Sequence, residues 1–323
     1  MNTVPFLFCK QVADRLNDAD CNSLTSFDKC VWAVAADRTT YGVSVFGEDV
    51  EGEEERRWFF AFYQPKGEHN SPGDLLKLNS VSFDKVAKVG ADLRRINEIH
   101  ISARRFLQGT DVLPFDEKNL PWITGSLNYC NLPKLSSYYH KKECLKVLAK
   151  VPFQEVYMGC GEQSCLDFLD AQIEHKTVQY ADIRLDDESL LVQSVLERLL
   201  QQPQFKALNA VLQNSDNDII FEPGFIGRLI EDWIQDPDQF VGKTFEVFCD
   251  MDDVANLNLH LKAIAHRRQF NRSLYGRRVA SGHMVLLTVD YPDKCVFEFG
   301  EHYRNMGFPQ EFLDVVEKEN FCF

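Results

Sequence analysis

Positive charge is in short supply in this chain: 35 Lys and Arg stand against 49 Asp and Glu, a formal net charge of −14. General adhesion to nucleic acid or to anionic membrane is therefore disfavoured, because both require positive surface. No run approaches the ~18 apolar residues of a membrane-crossing helix. The first residues hold neither a basic region nor an apolar stretch of secretory type, which predicts an intracellular protein, cytoplasmic or nuclear, reduced and soluble. Cysteine pairs of the C-x-x-C kind are missing, although ten cysteines are present. They are scattered, several inside apolar runs where a reduced Cys packs as a small hydrophobe. The H-E-x-x-H, G-x-S-x-G, G-x-x-x-x-G-K-[ST] and G-x-G-x-x-G patterns are all missing. No metal, cofactor or catalytic set is assigned, and the chain reads as non-enzymatic. Pro-rich or Ser-rich low-complexity linkers are lacking as well.

What is present is a large apolar inventory. Hydrophobic residues make up 45 % of the 323, aromatics 12 %, and Phe alone numbers 25, which rules out a disordered protein and suits a layered core of strands and helices. The opening segment, Val4-Pro5-Phe6-Leu7-Phe8 through Val31-Trp32-Ala33-Val34-Ala35, is organised by helical spacing. Phe8, Val12 and Leu16 recur at i, i+4, i+8. Thr3 can cap this helix, and Pro5 sits in its first turn, where a missing N–H costs nothing. Asn17-Asp18-Ala19-Asp20 interrupts the pattern with turn-forming residues, a short apolar piece (Cys21, Leu24) follows, and Ser26 opens a third helix carrying Phe27, Cys30, Val31, Trp32 and Val34. Three short helices bury little area alone, so the unit is expected to dock on something.

Further on, Tyr41–Phe46 and Trp58–Tyr63 read as a hairpin around an acidic solvated loop. Ser71-Pro72-Gly73 predicts the start of a short helix, Glu98–Ser102 a strand, and residues 133–150 a helix with Leu135, Tyr138, Tyr139, Leu145 and Leu148 toward the core. Strand and helix then alternate: strands over Phe153–Met158, Val178–Leu185, Phe205–Leu212 and Thr244–Cys249, with helices over Ser164–Glu174, Glu188–Gln201 and Gly224–Gln235 between them. The 52 residues from Phe153 to Phe205 give about 26 per unit, within the range of leucine-rich-type repeats although their consensus is missing. This alternation predicts parallel pairing through right-handed crossovers. A hairpin over His283–Val289 and Cys295–Phe299, turned by Pro292-Asp293, and a helix from Pro309 to Lys318 close the chain.

Two local features carry chemical possibilities. Gly159-Cys160-Gly161-Glu162-Gln163 is identical to the pentapeptide in which complement-type proteins join a Cys sulfur to a Gln side chain as a thioester. Its place between a strand and a helix, in a chain without a secretory signal, favours ordinary turn chemistry instead. The segment from His260 to His283 contains Lys262, Arg267, Arg268, Arg272, Arg277 and Arg278 and no acid, so the remainder of the chain carries −20. Phe270 and Tyr275 interleave with these cations. The plain reading is a helix plus loop neutralising the protein's own acidic surface; the functional ones are a docking patch for an acidic target protein or a strip for RNA.

The order of residues in the first segment (a hydrophobic–Pro pair, an amphipathic helix ending in Leu, acidic turn residues, a further Leu, then a Trp–Ala helix) resembles an F-box. Val4 stands where the family usually has Leu, and Lys29 alone represents the basic residues before the Trp. With an irregular α/β body behind it, the chain is similar in architecture and texture to the large nematode families of F-box-like proteins. The resemblance implies an α/β fold, α+β toward the N-terminus: a three-helix head over residues 1–38 and a degenerate leucine-rich-repeat-like body over 39–323. It implies a substrate-recognition adaptor of a cullin–RING ubiquitin ligase. The Skp-type linker protein would be gripped by Pro5, Phe6, Phe8, Val12, Leu16, Leu24 and Trp32, and a target protein by the body. The alternative is an interaction protein whose N-terminal helices are internal core and whose 260–283 strip binds protein or RNA.

Overall fold

The computed structural model describes residues 39–48, 57–64, 80–88, 94–102, 111–124, 132–137, 142–185, 190–212, 225–248, 262–267, 272–278, 283–290 and 294–300, together with Cys9 and Val12. The chain divides into two compact units, Met1–Met158 and Gly159–Phe323.

In the first unit the described elements are β1 (Thr39–Glu48), β2 (Arg57–Tyr63), β3 (Ser80–Val81), α1 (Phe83–Lys88), β4 (Arg94–Ser102), β5 (Leu113–Pro114), α2 (Pro121–Thr124), β6 (Lys134–Ser137), α3 (Lys142–Leu148) and β7 (Glu155–Cys160). The strands lie in the order β3-β2-β1-β4-β6-β7, with β5 also on β2. β1, β4, β6 and β7 run parallel, while β2 pairs antiparallel with β1 as the expected hairpin. Alternation places Val43, Val45, Phe60, Phe62, Ile99, Ile101, Leu135, Val156 and Met158 in the core. The abundance of Phe is used here: Phe60, Phe62 and Phe83 meet edge to face at 5.5–5.8 Å, and Trp122 closes on Phe83 at 5.4 Å. Each such pair adds about 0.5–1.5 kcal/mol beyond its buried area.

The expectation of a helix over 133–150 is corrected here. Residues 134–137 form a strand, and helix begins only at Lys142. Leu135 and Ser137 are both fully buried, at a spacing of two, because this short piece fills the place between β4 and β7. Leu145 and Leu148 are core residues as expected. The expected elements at Ser71-Pro72-Gly73 and Pro309–Lys318, and Tyr138 and Tyr139, fall outside the described residues.

The second unit holds α4 (Gln163–His175), β8 (Tyr180–Leu185), α5 (Leu190–Leu200), β9 (Ala207–Leu212), α6 (Phe225–Gln235), a 3-10 turn (Pro237–Phe240), β10 (Thr244–Phe248), β11 (Lys262–Arg267), β12 (Arg272–Arg278), β13 (Met284–Asp290) and β14 (Lys294–Gly300). Its strand order is β8-β9-β10-β14-β13-β12-β11. β8, β9 and β10 are parallel, as the strand–helix alternation predicts; β14, β13, β12 and β11 continue antiparallel. Each helix contributes an apolar stripe: Cys165, Phe168, Leu169 and Ile173 from α4, Val192, Val195, Leu196 and Leu199 from α5, Leu229, Ile230 and Trp233 from α6. Arg198 ties α5 to α4 through Asp170 at 2.7 Å, and Arg228 ties α6 to α5 through Glu197 at 3.0 Å. The chain is thus a mixed α/β protein.

Candidate functional site

A strand with one buried face must place its alternate residues on the other. In the second unit the buried set is Ala181, Ile183, Leu208, Ala210, Phe245 and Val247, and the set between them is polar and half-exposed. Register aligns Asp182, Asn209 and Glu246 as one row across β8, β9 and β10. Asn209 Nδ2 donates to Asp182 Oδ2 at 3.1 Å, and Lys294 reaches Glu246 from β14 at 2.6 Å. Partial burial pushes the Asp182 carboxyl up; the Asn209 hydrogen bond and the Arg184 charge work against that rise, and Glu246 adds to it. At the rim, Lys206 lies over the Tyr180 ring at 5.8 Å, and Tyr180 is exposed. The result is a strand-borne polar face of two carboxylates about an amide, with a lysine at one side and an aromatic at its border, chemistry suited to holding a polar protein surface.

The first unit has its own polar row. Tyr63, Gly42, Glu98, Lys134 and Glu155 follow one another in register across β2, β1, β4, β6 and β7. Tyr63 donates to Glu98 Oε1 at 2.7 Å, Lys134 pairs with Glu155 at 2.9 Å, and Tyr157 donates to Glu155 at 3.0 Å. One register step away His100 is buried, and desolvation pushes its imidazole down to about 4, so it is neutral at physiological pH.

Of the residues expected to grip a linker protein, Val12 is described: it is helical and half-buried, with Cys9 buried one turn earlier. Pro5, Phe6, Phe8, Leu16, Leu24 and Trp32 lie outside the described residues, as does Arg268 of the basic strip. The rest of that strip is corrected in form. Lys262 and Arg267 lie on β11, and Arg272, Arg277 and Arg278 on β12, an antiparallel hairpin where helix plus loop was expected. Pairing with β13 decides this, since a run with little strand propensity of its own is extended by the ladder beside it. Register sets Arg267 directly opposite Arg272, and Arg272 opposite Asp290.

The Gly159–Gln163 pentapeptide does span a strand end and a helix start. Cys160 is buried at the end of β7, whereas Gln163 is exposed at the first turn of α4 with its amide donating to Asp167 at 2.9 Å. The two groups a thioester would join are in different surroundings. Among the described residues no group of three or more His, Cys, Asp or Glu is placed to hold a metal ion. No described helix is long and apolar enough to cross a membrane.

Sequence reasoning missed the Asp182–Asn209–Glu246 row. Each residue stands between buried neighbours in an apolar strand, which is a legible local signal; only register brings the three together. The chain matches no family model, no curated protein and no solved structure.

Proposed function

We propose that the chain is a non-catalytic substrate-recognition adaptor of a cullin–RING ubiquitin ligase. The N-terminal helices would bind the Skp-type linker protein, and a body of degenerate leucine-rich type would bind the target. The observation that carries this reading is the residue order from Val4 to Ala35, an F-box-like sequence of Pro, amphipathic helix, acidic turn and Trp helix. Val12, half-buried beside a buried Cys9 on the same side of the helix, fits a packed stripe that is partly open. The polar row on β8, β9 and β10 supports the target-binding half, because a rigid strand-borne face positions charge without further ordering cost. The test is a pull-down of purified linker subunit by the full chain and by Pro5→Ala/Leu16→Asp, with circular dichroism on both. Capture by the wild type and loss in the folded variant is the expected result; a folded wild type that captures nothing refutes the reading.

A second reading has an observation of its own. Like charges directly opposed across a ladder are unfavourable, and Arg267 faces Arg272 in this way. Asp290 stands opposite Arg272 on its other side, and an anionic partner, RNA or an acidic protein, would meet the remaining cations of the strip. For RNA, the logarithm of the affinity should fall linearly with the logarithm of salt concentration.

A further inference from the structure

Between α5, α6 and the 3-10 turn lies a pocket of about 240 Å³. Leu200, Leu229 and Phe240, all buried, form its apolar part, and Glu197, Glu231 and Asp232 bring carboxylates to it. Arg228, the cation of the lining, is committed to Glu197 at 3.0 Å. Among the described residues no cation pairs with Glu231 or Asp232. Their placement also opposes the stability of α6: this helix has no basic residue in its last turn, and Glu231 and Asp232 stand in its final five positions, where the macrodipole favours cations. Asp236 and Asp238 follow at once, so four acids stand between Arg228 and Lys243 with no base among them. Lys243 does not neutralise them from within the pocket. Its ammonium is directed to the carbonyls of Leu200 and Gln202, at 2.6 and 2.9 Å, which end α5. Asp238 has His283 at 2.9 Å and Asp236 acts on Lys243, so the two acids without a counter-ion among the described residues are Glu231 and Asp232; charges that break a local electrostatic rule beside a cavity mark a place shaped for something else.

Size narrows what that is. Cavities that enclose cofactors and drug-sized ligands run from about 300 to 1,000 Å³. This one is smaller and matches a single long side chain. An apolar floor with an acidic rim complements an aliphatic stem carrying a positive head, the two-part character of lysine and arginine. We infer that the pocket between α5 and α6 receives one basic side chain, arginine or lysine, presented by a bound protein. The inference requires a protein partner and is independent of any linker subunit, so it stands or falls apart from the adaptor assignment.

The test uses the full chain and the peptide Ac-Ala-Ala-Arg-Ala-Ala-NH2, observed by saturation-transfer NMR. The arginine methylene protons should receive saturation from the apolar floor, and the same peptide with citrulline should receive none. Glu231→Gln with Asp232→Asn, isosteric changes at exposed positions, should weaken binding about tenfold. Glu174→Gln, an exposed carboxylate on α4 that is not among the lining residues, should leave it unchanged. Arg228→Gln should tighten it, because Glu197, which Arg228 holds at 3.0 Å, is then left for the incoming cation. Equal signals from the arginine and citrulline peptides, or from wild type and the double variant, would overturn the inference. So would silence from the wild type, or complete displacement by about 1 mM Mg²⁺, which would make the pocket a metal site.

Discussion

Gly42 on β1 and Tyr63 on β2 are opposed in the ladder, and the Tyr63 ring crosses Gly42 to reach Glu98 on β4, so one side chain links three strands. A Cβ at position 42 would overlap that ring. The ring is only 1 % exposed and cannot withdraw without giving up Glu98. Gly42→Ala is therefore expected to cost about 1–3 kcal/mol, read as a lower urea midpoint at unchanged slope. In a Tyr63→Ala background the same change should be nearly free, a coupling of about 0.5–3 kcal/mol. Burial, and then the Glu98 charge, hold the Tyr63 phenol well above its ordinary range, so it stays a donor throughout the accessible pH range. Two other buried bases set separate pH windows. Lys243 is lowered by desolvation from 10.5 to about 8, against a smaller opposing effect of Asp236. Between those values the unfolded chain holds more protons than the folded one, so stability contributed at this site rises with pH. His100, lowered from 6.5 to about 4, gives a contribution that is present above 6.5 and lost as pH falls toward 4. Denaturation midpoints of wild type should rise with increasing pH in both windows, between about 8 and 10.5 relative to Lys243→Met and between about 4 and 6.5 relative to His100→Gln. A flat difference in either window would remove that residue from the account.

At the level of elements, α4 ends on a residue that would rather not be there. Lys176 adopts the left-handed conformation, φ 55° and ψ 39°, to close the helix with its N–H on the Ile173 carbonyl. A non-glycine residue pays about 1–2 kcal/mol for that geometry, so Lys176→Gly should stabilise the protein by about 1 kcal/mol in thermal or urea melts. No glycine marks the stop, yet the helix was legible to within one residue at each end, Ser164–Glu174 against Gln163–His175, because Cys165, Phe168, Leu169 and Ile173 repeat at helical spacing. The same held for β8, β9 and β10 and the helices between them, where apolar strands and amphipathic helices alternate. Legibility failed where pairing overrides local preference: the four residues of β6 carry too short a pattern to show a period of two, and the Arg-rich β11 and β12 are strands through their neighbours. The polar rows were invisible for a related reason, since register belongs to pairs of strands and is not written in either one. On α6, Glu231→Gln with Asp232→Asn should raise stability by about 0.3–1 kcal/mol per charge removed, the reverse of the usual result of altering a functional surface. A loss of stability there would mean that the two carboxylates are compensated after all.

For the molecule as a whole, charge is the quantity that separates the readings. A chain at −14 repels itself and repels polyanions at long range, while the six cations from Lys262 to Arg278 form a local exception on and around one hairpin. At 0.1 M salt, exposed charges more than about 10 Å apart are largely screened, so a partner steered by this segment must carry its acids close to it. An acidic target protein satisfies this condition better than a nucleic acid, whose extended phosphate chain would meet the acidic remainder as well. Replacing Arg267, Arg268, Arg277 and Arg278 by alanine takes the formal charge from −14 to −18. With the head untouched, purified linker subunit should bind as before, while proteins that co-purify with the wild type from cells, read by mass spectrometry, should be lost selectively. Retention of those proteins would move the target site to the row on β8, β9 and β10, and Asp182→Asn/Glu246→Gln would then be the pair to disrupt it. Loss of both linker and target in a folded variant would instead tie the basic hairpin to the head's own binding, and the division of labour between head and body would have to be abandoned.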